Sequence, residues 1–427
     1  MESLALILLT TFGIGFVALV LIRPWYGIIV LVLTHIFLVA STERVTIYER
    51  VYIIIFLSTL LGWFLKRLYL KDFVKIAKAK ISIPIFLFFV VGLISIFQAI
   101  RNGINIEDWL RDIWRFGPLL LFCVVVTEAK NLNQIKKLII LILIVSSIIA
   151  IKNIVDLFYL KGSQEIFWEF RKTFQQHVSF FPFAALVLST VLLFFIKEKK
   201  LMVFLYVVIF VCIFTPLALG IRSEIIAYIL VIIVSISLRV REIGKPLPFV
   251  GISILLILFL AIFGSNYFLR QFMKQRFERR AILQGLYVRT IDWKTALNNI
   301  KENPILGKGF GYGFWVDRIY EEHFTKIVHN FPLYLTLKMG IIGTILFYSI
   351  LFLALKSALS LFRNVHNQFQ KGILGSIISY LMVCGFTSMI LSGFFRYEQN
   401  FLLGIFLGVI SFYQQMESDN NKIRGIR

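Results

Sequence analysis

A series of continuous apolar runs limits what this chain can fold into more than any other feature. They fall near residues 4–22, 26–41, 51–65, 81–100, 117–127, 138–157, 178–196, 201–219, 223–238, 247–264, 331–355, 372–393 and 401–414. A helix needs about 20 predominantly apolar residues to cross the hydrocarbon core of a bilayer. The runs do not alternate polar with apolar, so they do not read as strands of a membrane barrel, which have period 2. Composition agrees: 59% of residues are hydrophobic and 16% charged, against about 45–50% and about 25% in soluble domains. The sequence predicts an all-α polytopic membrane protein with about 12–13 transmembrane helices.

The basic residues give the runs a direction. Lys66, Arg67, Lys71, Lys75, Lys78 and Lys80 form one cluster, Lys130, Lys136 and Lys137 another, and Lys197, Lys199 and Lys200 a third. Arg239, Arg241 and Lys245 follow, then Lys356, Arg363 and Lys371, and finally Lys422, Arg424 and Arg427. These fall at every second connector, as cytoplasmic loops do under the positive-inside rule. The connectors 42–50, 101–116, 158–177, 220–222, 265–330 and 394–400 are then extracytoplasmic. Three parts result: a transmembrane bundle over 1–264, a large outer loop over 265–330, and further spans with a short cytoplasmic tail over 331–427. Thirteen spans with a cytoplasmic C-terminus put the N-terminus outside; the number is 12 if 4–22 and 26–41 are not both full spans. Met1-Glu2-Ser3 supplies no basic n-region, and no A-x-A-like site follows, so 4–22 reads as a retained span.

The net charge of +22 does not point to nucleic acid. Much of it sits in short connectors, and no basic stripe with interleaved stacking aromatics lies on a soluble domain. Cys123, Cys212 and Cys384 lie far apart within apolar runs and read as small buried hydrophobes.

The outer loop is where chemistry is expected. Between Ser265 and Val328 it carries 11 Lys/Arg against 6 Asp/Glu, a charge excess beside the bilayer. Arg270 to Ala281 is compatible with a basic helix. Thr290 to Glu302 carries Trp293, Leu297 and Ile300 at i, i+4, i+7 spacing, an amphipathic pattern. Asn303-Pro304 should end that helix, because a residue before proline leaves the α region. The run Gly307-x-Gly309-x-Gly311-x-Gly313 is a flexible or tightly turned segment.

Arginines stand out on the outer side. They are Arg101, Arg111 and Arg115, then Arg171, Arg222 between two spans, and Arg270, Arg276, Arg279, Arg280 and Arg289 in the loop. An arginine near a helix end either snorkels or serves a site, and Arg222 has little room to snorkel. Guanidinium groups bind phosphate oxygens bidentately, so several converging would suit a departing pyrophosphate. His329, where the loop re-enters the membrane, is a residue type that accepts a hydroxyl proton near neutral pH. No H-E-x-x-H occurs, and the adjacent pairs Glu107-Asp108 and Glu321-Glu322 would diverge by about 100° on a helix. Neither a metal site nor a two-carboxylate glycosidase is indicated. Trp293, Tyr312, Phe314, Trp315 and Tyr320 are placed to stack on glycan or isoprenoid. A transporter would show broken or ionisable spans in corresponding halves, whereas here such residues gather at one face and one loop.

His329-Asn330, nine residues, Gly340, two residues and Gly343 fit the pattern H-[NSQ]-x9-G-x-x-[GTY]. This resembles the O-antigen ligases, of a superfamily shared with O-antigen polymerases and related bacterial glycan transferases. Arg222-Ser223 at the head of a span, Arg289 four residues before Trp293, and Asn303-Pro304-Ile305-Leu306-Gly307-x-Gly309 are similar to the same family in the same order. The small polar residue often found before the family's first arginine is replaced here by Gly220-Ile221. The resemblance implies a GT-C-like glycosyltransferase of the bacterial inner membrane, with its active site facing the periplasm. It implies an inverting, metal-independent transfer without cofactor, from a glycan on undecaprenyl pyrophosphate. The acceptor would be a sugar hydroxyl of lipid A-core in a ligase, or a second lipid-linked repeat in a polymerase. His329 would be the catalytic histidine, and Arg222 and Arg289 pyrophosphate ligands. Arg115, Arg111 or Arg171 would add to the substrate site, with Asn330, Trp293 and Tyr312. Gly340 and Gly343 would permit close packing behind it.

Overall fold

The computed structural model describes residues 15, 17–37, 47–159, 180–218, 222–239, 279–318, 321–389, 394 and 396–423. In chain order the helices are α1 (Pro24–Thr34), α2 (Ile47–Leu70), α3 (Val74–Lys78), α4 (Ser82–Arg101), α5 (Ile106–Trp114), α6 (Leu121–Glu128), α7 (Leu132–Tyr159), α8 (Phe180–Leu193), α9 (Lys199–Ala218) and α10 (Arg222–Arg239). After them come α11 (Arg279–Glu302), the strands β1 (Phe314–Arg318) and β2 (Glu321–Thr325), α12 (Phe331–Asn364), α13 (Gln368–Ser388) and α14 (Tyr397–Ile423).

Among the described residues five helices are long and apolar enough to cross a membrane: α2, α4, α7 over Leu132–Val155, α12 and α13. The fold is that of an all-α polytopic membrane protein. Three apolar runs become shorter helices, Pro24–Thr34, Gly117–Glu128 and Phe180–Leu193. Pro24 starts the first, since proline suits the opening turn of a helix and not its interior. Gly117-Pro118 opens the second as a 3₁₀ turn over Gly117–Leu120 before α6. The run 247–264 and residues 4–14 and 16 of the run 4–22 lie outside the described residues, as does Arg171.

Burial separates the core from the lipid-facing rim. Every residue of α8 from Phe181 to Leu193 is buried, among α7, α9, α10 and α13. A helix apolar on all sides belongs in that position. By contrast α2 and α4 leave Leu57, Leu61, Leu93 and Phe97 exposed, the surface that hydrocarbon would cover.

The polar connectors gather at two ends. At one end Lys66 Nζ lies 2.6 Å from Glu128 Oε2, and the buried Arg67 pairs with the same carboxylate. Lys136 sits 5.1 Å from the Phe369 ring centroid, and Asn364 donates to Glu417 at 3.0 Å. These are the basic connectors. At the other end Lys326 Nζ meets Asp108 at 2.6 Å, and Asn102 donates to the Lys308 carbonyl at 2.9 Å. There Asn400 also donates to the Arg115 carbonyl at 2.9 Å. The connectors 101–116, 265–330 and 394–400, grouped as extracytoplasmic by charge, thus meet in space.

Two expectations for the outer loop change. α11 begins at Arg279 and ends at Glu302 before Asn303-Pro304, and of the stripe Trp293, Leu297 and Ile300 two members, Trp293 and Ile300, pack against the core. Leu297 is exposed, while Asp292 and Ala296 are fully buried and Trp293 and Ile300 flank them. The buried carboxylate of Asp292 shares that inward side with Ala296, which a reading of apolar periodicity passes over. Glu321-Glu322 lie in a strand, not a helix. β2 pairs antiparallel with β1, Phe314 opposite Thr325 and Arg318 opposite Glu321.

Candidate active site

The site is built on a break in α12. Gly340 has φ 68° and ψ −174°, a region open essentially only to glycine. A helix interrupted there leaves carbonyls before it and an amide after it without intrahelical partners. The loop after α11 supplies them. Lys308 N donates to Leu337 O at 2.7 Å, Gly309 N to Lys338 O at 3.0 Å, and Ile341 N to Pro304 O at 2.9 Å. Gly307 and Gly309 are also at positive φ. A Cβ on Gly340 would stand 1.9 Å from Ile305 O, and one on Gly307 would stand 2.5 Å from Gly340 N. The Asn-Pro-Ile-Leu-Gly-x-Gly segment and the glycine after the histidine are therefore two halves of one joint.

This joint sets the short helical piece 331–339 against α11. Asn330 caps it, its side-chain oxygen accepting from Leu333 N at 2.9 Å while its Nδ2 donates to Met389 O at 2.7 Å. Immediately before the cap, His329 Nδ1 lies 3.2 Å from Asp292 Oδ2. Asp292 is fully buried, whereas the His329 side chain is 43% exposed. Trp293 Nε1 donates to the His329 carbonyl at 3.1 Å, so consecutive residues of α11 hold both the ring and the backbone of the histidine. A carboxylate accepts and does not donate. Nδ1 therefore carries the hydrogen toward Asp292, and Nε2 of the neutral ring keeps its lone pair for another group.

Arg289 lies one turn before Asp292 on α11. Residues at i, i+3 and i+4 are neighbours with Cβ atoms about 5–6 Å apart, so Arg289 shares the face of Asp292 and Trp293. Arg222 opens α10; its side chain is not among those described.

A buried charge cluster backs the joint. Lys338, fully buried, places Nζ 3.0 Å from Asp112 Oδ2 of α5 and donates to the Tyr312 carbonyl. Gly311 N donates to the same Asp112 oxygen at 2.8 Å, and Arg115 Nη1 lies 3.5 Å from Asp112 Oδ1. Burial alone would raise the Asp112 pKa, but the Lys338 and Arg115 charges hold the carboxyl below the usual range. The Tyr312 hydroxyl donates to Asn299 Oδ1 at 2.7 Å, and burial raises its pKa.

The structure thus brings together His329, Asn330, Trp293 and Arg289, with Tyr312 and Arg115 bound into the neighbouring cluster. Arg111 lies on α5 beside Asp112. Asn330 and Trp293 hold the histidine in place through their polar groups. Three contributors escaped the sequence reading: Asp292, Asp112 and Lys338. Lys338 carried a signal, since an ionisable residue within an apolar run marks a site by default. Asp292 sits three residues after Arg289, the spacing of one helical face.

Fold and site together define a helical membrane protein with a histidine–aspartate pair at the polar end opposite its basic connectors. Residues 207–348 match the family model of the O-antigen ligases, a stretch that runs from α9 into α12 and holds Arg222, Arg289, Asp292, His329 and the glycine joint. Over that stretch, about a third of the chain, the protein is similar to the O-antigen ligases. No curated protein matches the chain.

Proposed function

We propose that the protein is a lipid-linked glycan transferase, and specifically an O-antigen ligase acting at the periplasmic face of a bacterial inner membrane. The observation that carries the reading is the buried Asp292 against His329 Nδ1, one helical turn from Arg289. Nε2 takes the proton of the acceptor hydroxyl as its oxygen attacks the anomeric carbon. The bond from that carbon to the pyrophosphate oxygen breaks, its electron pair leaving with undecaprenyl pyrophosphate. Asp292 stabilises the imidazolium, the role of a carboxylate behind a catalytic histidine. Arg289 and Arg222 offset the charge on the leaving group, with Arg115, Arg111 or Arg171 adding to the same field; pre-placed cations of this kind are commonly the largest catalytic term. A single displacement inverts the anomeric centre and uses neither metal nor cofactor. The acceptor is a sugar hydroxyl of lipid A-core, and the runner-up is a second lipid-linked repeat, as in a polymerase.

The test is reconstitution in liposomes with an undecaprenyl pyrophosphate-linked glycan, with and without lipid A-core, in EDTA. A product that needs core and disappears in His329→Ala supports the ligase. A ladder of longer lipid-linked chains without core would replace it with the polymerase. If neither product forms, glycan transfer is wrong.

A further inference from the structure

The β1–β2 hairpin carries a face that the transfer chemistry does not use. On its inner face Phe314 and Val316 are buried, and β1 packs on α11. On its outer face Trp315 stands directly opposite Phe324 in the strand register, with ring centroids 5.3 Å apart. Both are exposed, Trp315 by 62% and Phe324 by 44%. The pair is seated, not dangling: a Cβ on Gly313 would lie 2.3 Å from the Phe324 ring, so the last glycine of the G-x-G-x-G-x-G run makes room for it. Strand alternation puts the exposed Asp317 on the face of Trp315, and the register sets Glu322 opposite Asp317. Aromatic rings with the Asp317 carboxylate on the same face suit a pyranose, which stacks its C–H face on the rings and donates a rim hydroxyl to the carboxylate. The exposed Asp317 carboxylate on that face disfavours an anionic headgroup, which is why a sugar chain, not the bilayer surface, is the occupant that fits. The face lies near the site, because the five-residue chain from Phe324 to His329 spans at most about 18 Å.

We propose that this hairpin face is a glycan-binding subsite that holds a sugar of the transferred chain away from the reacting end. The proposal rests on the glycan-transferase reading and deepens it. Its test uses the full-length protein in proteoliposomes with two lipid-linked donors, one carrying a single repeat and one carrying several. Trp315→Ala should raise KM for the long donor about 3- to 10-fold, by the loss of an aromatic contact, and raise it less for the short one. Trp315→Phe should recover most of the loss. Phe97→Ala, exposed on the lipid-facing side of α4, should leave both values alone. An equal effect of Trp315→Ala on both donors, or no effect, overturns the subsite. Saturation-transfer NMR with the free oligosaccharide reads binding without turnover. Signal lost in Trp315→Ala supports the subsite even if no transfer occurs, and that pattern would sink the transferase reading alone. Quenching by brominated phosphatidylcholine that is stronger in wild type than in Trp315→Phe would make the pair a membrane anchor and overturn the proposal.

Discussion

Gly340→Ala probes the joint between the loop and the broken helix. Two costs can be worked from the structure. Alanine at φ 68°, ψ −174° is in a region that costs about 1–3 kcal/mol for a residue with a Cβ. The new methyl would also stand 1.9 Å from Ile305 O and 2.5 Å from Leu306 N, both backbone atoms, so the loop must move away. Moving it gives up the three hydrogen bonds that cross the break, each worth about 0.5–1.5 kcal/mol. The sum is about 2.5–7.5 kcal/mol. Unfolding by SDS titration in mixed micelles, followed by circular dichroism, measures it. Gly385→Ala is the control. Gly385 lies in α13, and a methyl added there would meet nothing within 4 Å, so alanine should be neutral or stabilise by up to about 1 kcal/mol. If Gly340→Ala stays within about 1 kcal/mol of wild type, the two glycine motifs do not form one joint and the account fails.

Three further outcomes are expected. His329→Ala and Asp292→Asn should each lower kcat about 10²–10⁴-fold with KM little changed, read by product formation in the reconstituted assay; a fully active Asp292→Asn would remove the carboxylate from the mechanism. Asp112→Leu alone strands the buried Lys338 charge and should cost about 3–5 kcal/mol, whereas Asp112→Leu with Lys338→Met should recover most of it; a double-mutant cycle showing simple additivity would contradict the pairing. Because the folded Asp112 pKa is lowered, its stabilising contribution is present above the unfolded value of about 3.9 and is lost as pH falls through the lower folded value. Wild type and Asp112→Leu should accordingly differ in SDS resistance at pH 7 and converge in strong acid.

How much was legible in the sequence follows from the type of signal each element leaves. Spans announce themselves because backbone in hydrocarbon must bond within its own helix, which demands long apolar runs. His329 and Gly340 were legible as a spacing, and Asn303-Pro304 as a helix stop. Asp292 was not, because its worth depends on what faces it across 37 residues of chain, and periodicity of apolar residues ignores a buried carboxylate. The same holds for Asp112 and Lys338, separated by 226 positions. The hairpin was missed since its strands are only five residues each, and the acids in β2 hid its alternation. Gly307, Gly309 and Gly311 read as flexible or tightly turned by composition; their positive φ values and close neighbours show the tightly turned alternative.

The break at Gly340 also separates two mechanical duties. From Ile341 to Asn364 the helix is about 36 Å long at 1.5 Å per residue, enough to cross a hydrocarbon core of about 30 Å unaided. The piece carrying His329 at its head is hung from the 304–309 loop and from the Asn330 cap, not rigidly continued from the span. The imidazole is thus registered to α11, by Asp292 at its ring and Trp293 at its carbonyl, through contacts that do not run along the membrane-crossing part of the helix.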